Sequence, residues 1–473
     1  MAGEYGALFR RILFPAYESG LRRRGTLAYM QEYERNQWLS ADELAALQWR
    51  KLEHLVAHCW AEVPYYRRRW GAAGMSSPAD VRSLEDYARL PVLTKADVRG
   101  NFEALHAPAY RDSLLYKTTG GSTGEPLKIG YTRESYERRI AVMHRGYGWA
   151  GARLGARALY FWGESLEGVP LKLRLMHRAF NRRVVNVFTM GDDDMARYAD
   201  MIDDYRPQVV VAYVAPVVRL ARWLLREGRK IHVPRALLCA AEPLRAHERA
   251  VLEEAFGCPV YNTYGCREVM LIASECEKNN GLHVNADHLC VELAPPADAG
   301  PDMRCEVLIT DLHNYGMPLM RYANGDLATR QEGGCSCGRA LPLLAAVDGR
   351  TMDALRSPGG HFVGEYLEHL MFETPGILRF QAVQERIEVI EVSFIPDEDA
   401  FDEASLRQVA GKMRDAFGDG LSLEFRRTDD IPLTATGKLR VAISRLAMSL
   451  LLLPLANMGQ WFARHGGELL SVA

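Results

Sequence analysis

The chain has 473 residues, 48% of them hydrophobic and 25% charged, enough to bury at least one large core and to fold as two or three soluble domains. A net charge of −2 supplies no global basic field, which argues against a nucleic-acid-binding function. Nine cysteines, an odd number scattered over a long chain, point to reduced thiols rather than a disulfide framework.

Near the N-terminus the apolar run "ILFPAY" is too short and too broken by proline for a secretory leader, so the chain is expected in the cytoplasm. Residues 41 to 70 carry apolar side chains at helical spacing and predict an amphipathic helix that stops at Pro64. The stretch "KTTGGSTGEPLK", 117 to 128, follows. Its three glycines let backbone N–H groups converge, and Thr118, Thr119, Ser122 and Thr123 add hydroxyl donors, a composition suited to wrapping an anion. Glu125 stands where a Walker loop needs its second glycine, and no Lys-Ser/Thr follows, which disfavours a P-loop NTPase. A solvent-exposed turn is the competing reading.

Short β-rich runs at 157–162, 184–188, 208–213, 236–241 and 259–264 then alternate with helical stretches at 193–205, 216–228 and 245–256, predicting an α/β fold with a largely parallel sheet. After "HVNADHLCVELA" the pattern becomes strand-rich and predicts an antiparallel or barrel-like subdomain. A new pattern begins beyond "VDGRTMD", with a helix near 363–373, strands at 377–383 and 387–395 and a helix at 402–417. The economical division is a large domain, 1–350, and a small mobile α+β domain, 351–473.

"TTGGSTGEP", "AAEPL" (240–244), "YNTYGCREV" (261–269), "MPLMRYANGDLATR" (317–330), "VDGRTMD" and "PLTATGKLR" (432–440) occur in an order and spacing that resemble the motifs of adenylate-forming, acyl-CoA synthetase-like enzymes. The resemblance runs from about residue 40 to 440, and "YGCRE" is similar to the Tyr-Gly-x-Arg-Glu of the phenylacetate-CoA ligase branch with its CapK-like members. It implies a ligase in which a carboxylic acid attacks the α-phosphate of ATP, pyrophosphate leaves, and the acyl group passes to a thiol such as coenzyme A. An amine or hydroxyl acceptor, as in CapK-like polysaccharide biosynthesis, is the alternative within that class, and a nucleotide-binding scaffold without catalysis is the alternative outside it.

The resemblance also implies roles for individual residues. Thr118, Thr119, Gly120, Gly121, Ser122, Thr123 and Gly124 would cradle the departing phosphates, and Glu268 would hold Mg2+. Tyr264 would lie against the adenine and Gly265 would belong to the ATP-binding set, with Glu242 and Pro243 bordering the adenine and acyl pocket; a plain buried aromatic is the other reading of Tyr264. Asp326 would accept from the ribose hydroxyls and Arg350 would approach the ribose or phosphates, whereas Arg321 reads equally well as a structural ion-pair residue. Asp353 would be the hinge of the small domain, and Lys438 the lysine that meets charge building between carboxylate and α-phosphate. Tyr160, Phe161, Trp162 and Tyr213 are candidates for an aryl or acyl pocket, or simply core strand.

Cys335 and Cys337 in "GGCSCGR", with Cys276 and His283 in "ECEKNNGLH", supply three thiolates and an imidazole for a structural Zn2+, at spacings unlike ordinary knuckles; reduced loop cysteines are the other reading. Cys59, Cys239, Cys258, Cys266 and Cys290 read as core filler. From Leu446 to Ala463 no residue is charged, but Pro454, Asn457, Gly459 and Gln460 disfavour a membrane span. Packing on the protein or across a homodimer is expected first, and weak membrane-surface association after it.

Overall fold

The computed structural model describes the chain except residues 1, 119–126, 163–170, 187–193, 296–303, 351–354, 360–362, 365–366, 368–369, 372–373, 399–400, 432–440 and 447–473. The helix anticipated from residue 41 runs Ala41–Glu62. Ser40 caps it reciprocally: its Oγ accepts from the Glu43 N–H while Glu43 Oε2 accepts from the Ser40 N–H. Pro64 ends this helix through its effect on Val63, which is extended, and then opens a second helix, Pro64–Ala72, at a position where no N–H is needed. The helix thus stops at Pro64 as the sequence predicts, and a second, shorter helix follows it.

Strands β1 (Leu115–Thr118) and β2 (Lys128–Tyr131) form an antiparallel hairpin in which Thr118 and Lys128 are register partners, closing the ends of the glycine-rich segment upon each other. Next come β3 (Ala158–Trp162), β4 (Arg182–Asn186), β5 (Val209–Tyr213), β6 (Ala236–Ala240) and β7 (Val260–Cys266), which pair in parallel in the order β7-β6-β5-β3-β4. The intervening helices Met195–Tyr205, Val214–Arg226 and Ala246–Phe256 bury Ile202, Leu220 and Leu252 against them, which is why these strands read as nearly unbroken apolar runs.

The strand-rich segment continues the same sheet in antiparallel pairing: β8 (Met270–Glu275), β9 (Leu282–Val284), β10 (Leu289–Ala294), β11 (Cys305–Asp311), β12 (Tyr322–Arg330) and β13 (Leu343–Arg350) complete eleven strands in the order β10-β11-β12-β13-β9-β8-β7-β6-β5-β3-β4. Among the described residues this is an open antiparallel arm without barrel closure. A separate four-stranded sheet, β14 (Ile377–Arg386), β15 (Val389–Pro396), β16 (Ser422–Arg427) and β17 (Ala442–Ser444), carries the helix Glu403–Phe417 and its own core around Phe380, Ile390 and Met413. Leu355 belongs to that core, and Arg356 is tied to β14 by reciprocal bonds with the Gln384 amide at 2.7 and 2.6 Å. The helix anticipated near 363–373 and the apolar run 446–463 lie largely outside the described residues, among which no helix is long and apolar enough to cross a membrane.

Candidate active site

In a parallel sheet the carboxyl ends of the strands lie along one edge, the usual place for a ligand. Here that edge presents Trp162, Tyr213, Ala240 and the end of β7. The side chains of β3 divide as strand alternation requires: Phe161 is wholly core, whereas Trp162 is half-buried with its ring 4.5 Å from that of Tyr213. Beyond β6, Ala241 adopts a left-handed φ of 71° and turns the chain into the half-buried Glu242 and Pro243. Glu242 Oε2 accepts from the Ala215 N–H at 2.8 Å, in the first turn of the helix Val214–Arg226, where a carboxylate also meets the positive end of the dipole.

The β7–β8 hairpin supplies the next group. Gly265 cannot carry a side chain, because a Cβ there would sit 2.3 Å from the Met270 carbonyl oxygen, and the register shifts between Tyr264 and Gly265. Tyr264 thereby reaches β12: its hydroxyl donates to Asp326 Oδ2 at 2.8 Å, and the Asn324 amide donates to both the Tyr264 hydroxyl (2.9 Å) and Asp326 Oδ2 (2.5 Å). Burial, and after it the neighbouring Asp326 carboxylate, hold the Tyr264 phenol well above its ordinary pKa, so it remains a donor. The Tyr264 ring is buried, as the plain-core reading has it, and its polar tip meets Asp326. Arg350 is the backbone register partner of Asp326, although its side chain lies outside the described residues.

Glu268 sits in the turn of the same hairpin with 7% of its surface exposed. Its carboxylate accepts from the Tyr322 hydroxyl at 3.0 Å, and its main-chain carbonyl accepts from Arg139 at 2.6 Å. Arg139 in turn forms a fully buried 2.6 Å ion pair with Asp311. The Arg139 guanidinium also lies over the Tyr131 ring of β2, 5.0 Å from its centroid, which links the Glu268 turn to the hairpin that bears the glycine-rich loop. Asn314 anchors the hairpin from beneath, donating to the Gly130 carbonyl at 3.0 Å and accepting from the Thr132 N–H. Thr118 ends β1, exposed, at the start of the loop. Thr119, Gly120, Gly121, Ser122, Thr123, Gly124, Asp353 and Lys438 lie outside the described residues.

Tyr322, Asn324 and Arg139 are polar partners that motif reading missed. The first two stand inside "RYANGD" and were within reach of it. Arg139 has no sequence signal, because its helix meets Glu268 across 129 positions of chain. Arg321 resolves to an ion-pair role: its Nε donates to both oxygens of buried Glu292 at 3.0 and 3.1 Å, and Nη1 donates to the Leu90 carbonyl.

At the opposite end of the hairpin, Cys276, His283, Cys335 and Cys337 bring their ligand atoms within 4.8 Å of one another. The Cys276–Cys335 sulfur separation is 3.7 Å and Cys337 Sγ lies 3.4 Å from His283 Nε2, close to the roughly 3.8 Å sulfur–sulfur edge of a tetrahedron built on zinc–thiolate bonds. The backbone N–H groups of Lys278 and Arg339 point at Cys276 Sγ (3.4 Å) and Cys337 Sγ (3.5 Å), orienting them. Burial, then Arg339, lowers His283 to about 4, so its imidazole is neutral, the ligating form. Burial raises the Cys276 thiol, whereas at Cys337 burial is outweighed by hydrogen bonds, those from Arg339 first, which lower it. The donor set fits Zn2+. Of the remaining thiols, Cys59, Cys239, Cys258 and Cys290 are buried and Cys266 is half-buried; Cys305, overlooked in the sequence reading, is half-buried at the start of β11.

Comparison with known proteins bears on this geometry. The CapK C-terminal domain family matches residues 355–445. A phenylacetate-coenzyme A ligase of Thermus thermophilus is 30% identical over 435 residues, covering 85% of this chain and 96% of that protein. Protein CapK of Staphylococcus aureus is 22% identical, covering 90% and 94%. In fold, the chain is similar to a 2-hydroxyisobutyryl-CoA ligase solved in the postadenylation state with 2-HIB-AMP, with a TM-score of 0.68, 21% identity and coverage of 87% and 91%. The chain belongs to the phenylacetate-CoA ligase family of adenylate-forming enzymes and is an AMP-forming acid ligase.

Proposed function

We propose that the enzyme activates a carboxylic acid with ATP and passes the acyl group to coenzyme A. The observation that carries this reading is the Tyr264–Asn324–Asp326 triangle at the carboxyl edge of the sheet, beside the Glu268 turn. A substrate carboxylate oxygen attacks the α-phosphorus, the bond to the bridging oxygen breaks, and pyrophosphate departs with the electron pair. The thiolate of coenzyme A then attacks the acyl carbon and AMP leaves. Asp326 accepts from the ribose hydroxyls, Tyr264 and Gly265 flank the adenine, and Glu242 with Pro243 borders the acid. Arg350 approaches the ribose or phosphates.

The loop Thr118 to Gly124, Thr119 included, cradles the phosphates that leave. Glu268 would hold Mg2+, which would supply charge neutralisation to the phosphates. Its carboxylate is oriented by Tyr322 and its backbone by Arg139. Lys438, carried by the small domain 351–473, meets the developing charge, and Asp353 is the pivot that withdraws it. A division after residue 350 is supported by the attachment of Leu355 and Arg356 to the C-terminal core. The four-residue cluster around Cys335 holds a structural Zn2+.

A second acceptor reading, an amine or hydroxyl, goes with the resemblance to CapK-like members, whose C-terminal domain family matches residues 355–445. A panel of carboxylic acids in an ATP-dependent pyrophosphate-release assay, run with coenzyme A and with hydroxylamine, tests both. Release with thioester formation supports coenzyme A, and release that yields product only with the amine supports the second reading. Nucleotide binding with no release across a broad panel would leave a scaffold.

A further inference from the structure

Two segments distant in sequence build one strongly basic surface. Residues 5–24 and 174–183 contain nine arginines and a single carboxylate, Glu18, in a chain whose net charge is −2. Glu18 is buried and paired with Arg24 at 3.1 Å, so it does not offset the charge facing solvent. The segments are joined: the Tyr5 hydroxyl donates to the Ala179 carbonyl at 2.5 Å, and the rings of Phe9 and Phe14 pack on Phe180 at 5.0 and 6.0 Å. Arg10 fastens the same stretch by donating to the Leu154 carbonyl at 2.8 Å.

This packing turns Phe9 and Phe14 inward and leaves the side chains between them outward. Leu8, Ile12 and Leu13 are 45%, 57% and 41% exposed, and Leu175, one turn before Ala179, is 57% exposed. With Leu21 they make five of the eleven large hydrophobic side chains that are exposed among the described residues, concentrated in a small fraction of the chain and surrounded by arginine. Scattered exposed leucines need no explanation, whereas a cluster inside a one-sign field does.

We propose that this face docks the enzyme on an anionic lipid bilayer, with Leu8, Ile12, Leu13 and Leu175 entering the headgroup boundary and the arginines lying on lipid phosphates. A second copy of the chain is a poor occupant, because the face would meet its own positive charge. Nucleic acid would satisfy the arginines but leave the branched apolar side chains against a polyanion.

The test is co-sedimentation of the full-length enzyme with vesicles of phosphatidylcholine alone and of phosphatidylcholine containing phosphatidylglycerol. Binding to the anionic vesicles, about tenfold tighter than to the neutral ones and weakened by salt, is expected. Two double variants, Ile12→Ser/Leu175→Ser and Arg11→Glu/Arg178→Glu, should each lower it about tenfold while unfolding cooperatively as the wild type does. Anionic-vesicle binding that neither variant diminishes overturns the assignment and gives it to another segment, the apolar run 446–463 being the first to examine. No vesicle binding, with or without capture of an acidic protein, overturns it as well.

Discussion

The Tyr264 hydroxyl donates a 2.8 Å hydrogen bond to Asp326 Oδ2, joining the end of a parallel strand to an antiparallel one. One consequence is a separation of roles. Asp326→Ala removes the proposed ribose acceptor and leaves the buried Tyr264 hydroxyl with the Asn324 amide alone, so KM for ATP should rise by about tenfold or more. Tyr264→Phe keeps the ring and the carboxylate, and should raise KM for ATP only several-fold, for the loss of about 1 kcal/mol of orientation. Steady-state kinetics with a confirmed acid substrate checks the ordering; equal effects of the two substitutions would make the pair a structural contact only.

Lys438→Ala is expected to slow adenylate formation by about two orders of magnitude or more, the size associated with removing one transition-state charge contact. Acyl transfer from a synthetic acyl-adenylate should largely persist on the proposed mechanism, which withdraws the lysine for that step. Pyrophosphate exchange and thioester formation, measured separately, distinguish this from a folding defect, which would reduce both alike.

Arg139→Met strands the Asp311 carboxylate in a site with no solvent exposure and deprives the Glu268 carbonyl of its donor. Breaking a buried pair in this way should cost about 3–5 kcal/mol of stability. The paired variant Arg139→Met/Asp311→Asn should recover part of that loss, since no uncompensated charge is left, yet remain slow in adenylation because the Glu268 turn is still unsupported. Denaturant unfolding beside pyrophosphate exchange reads the two effects; recovery of both together would deny Arg139 a positioning role.

Enzyme purified without added metal should carry about one zinc per chain, and Cys335→Ser/Cys337→Ser should carry almost none. Chelation should lower the melting temperature of the wild type and leave the double variant unchanged. Equal zinc contents in the two proteins would remove the site.

His144 is half-buried, and burial, then the Arg182 charge, lowers its pKa from the ordinary 6.5 to about 3. The unfolded chain therefore binds a proton that the folded chain refuses, and the stability linked to this residue is present in full above about pH 6.5 and lost as pH falls toward 3. Between pH 6 and 4 the wild type should lose about 1 kcal/mol per pH unit more than His144→Leu. Parallel stability curves for the two proteins would contradict the assignment.

Alternation of apolar runs with amphipathic stretches was enough to place β5, β6 and the helix Val214–Arg226 within about two residues, because strand and helix periodicities are local and burial on both sheet faces leaves a nearly continuous apolar record. The local chemistry of a single residue was legible too, in the proline that closes the first long helix, whereas the collision of a Gly265 Cβ with the Met270 carbonyl shows only in the folded hairpin. Tertiary structure alone decided which polar groups meet. Tyr264 and Asp326 are 62 positions apart, and Arg139 stands 172 from Asp311, so each contact depends on strand order and register that no local pattern encodes. The same holds for the cluster of Cys276, His283, Cys335 and Cys337. Their spacing only permits a metal, whereas the pairing of β9 with β8 and β13 draws the ligand-bearing segments together. A periodic pattern specifies which face of an element is buried, and the choice of partner is made by the packing of all the elements at once.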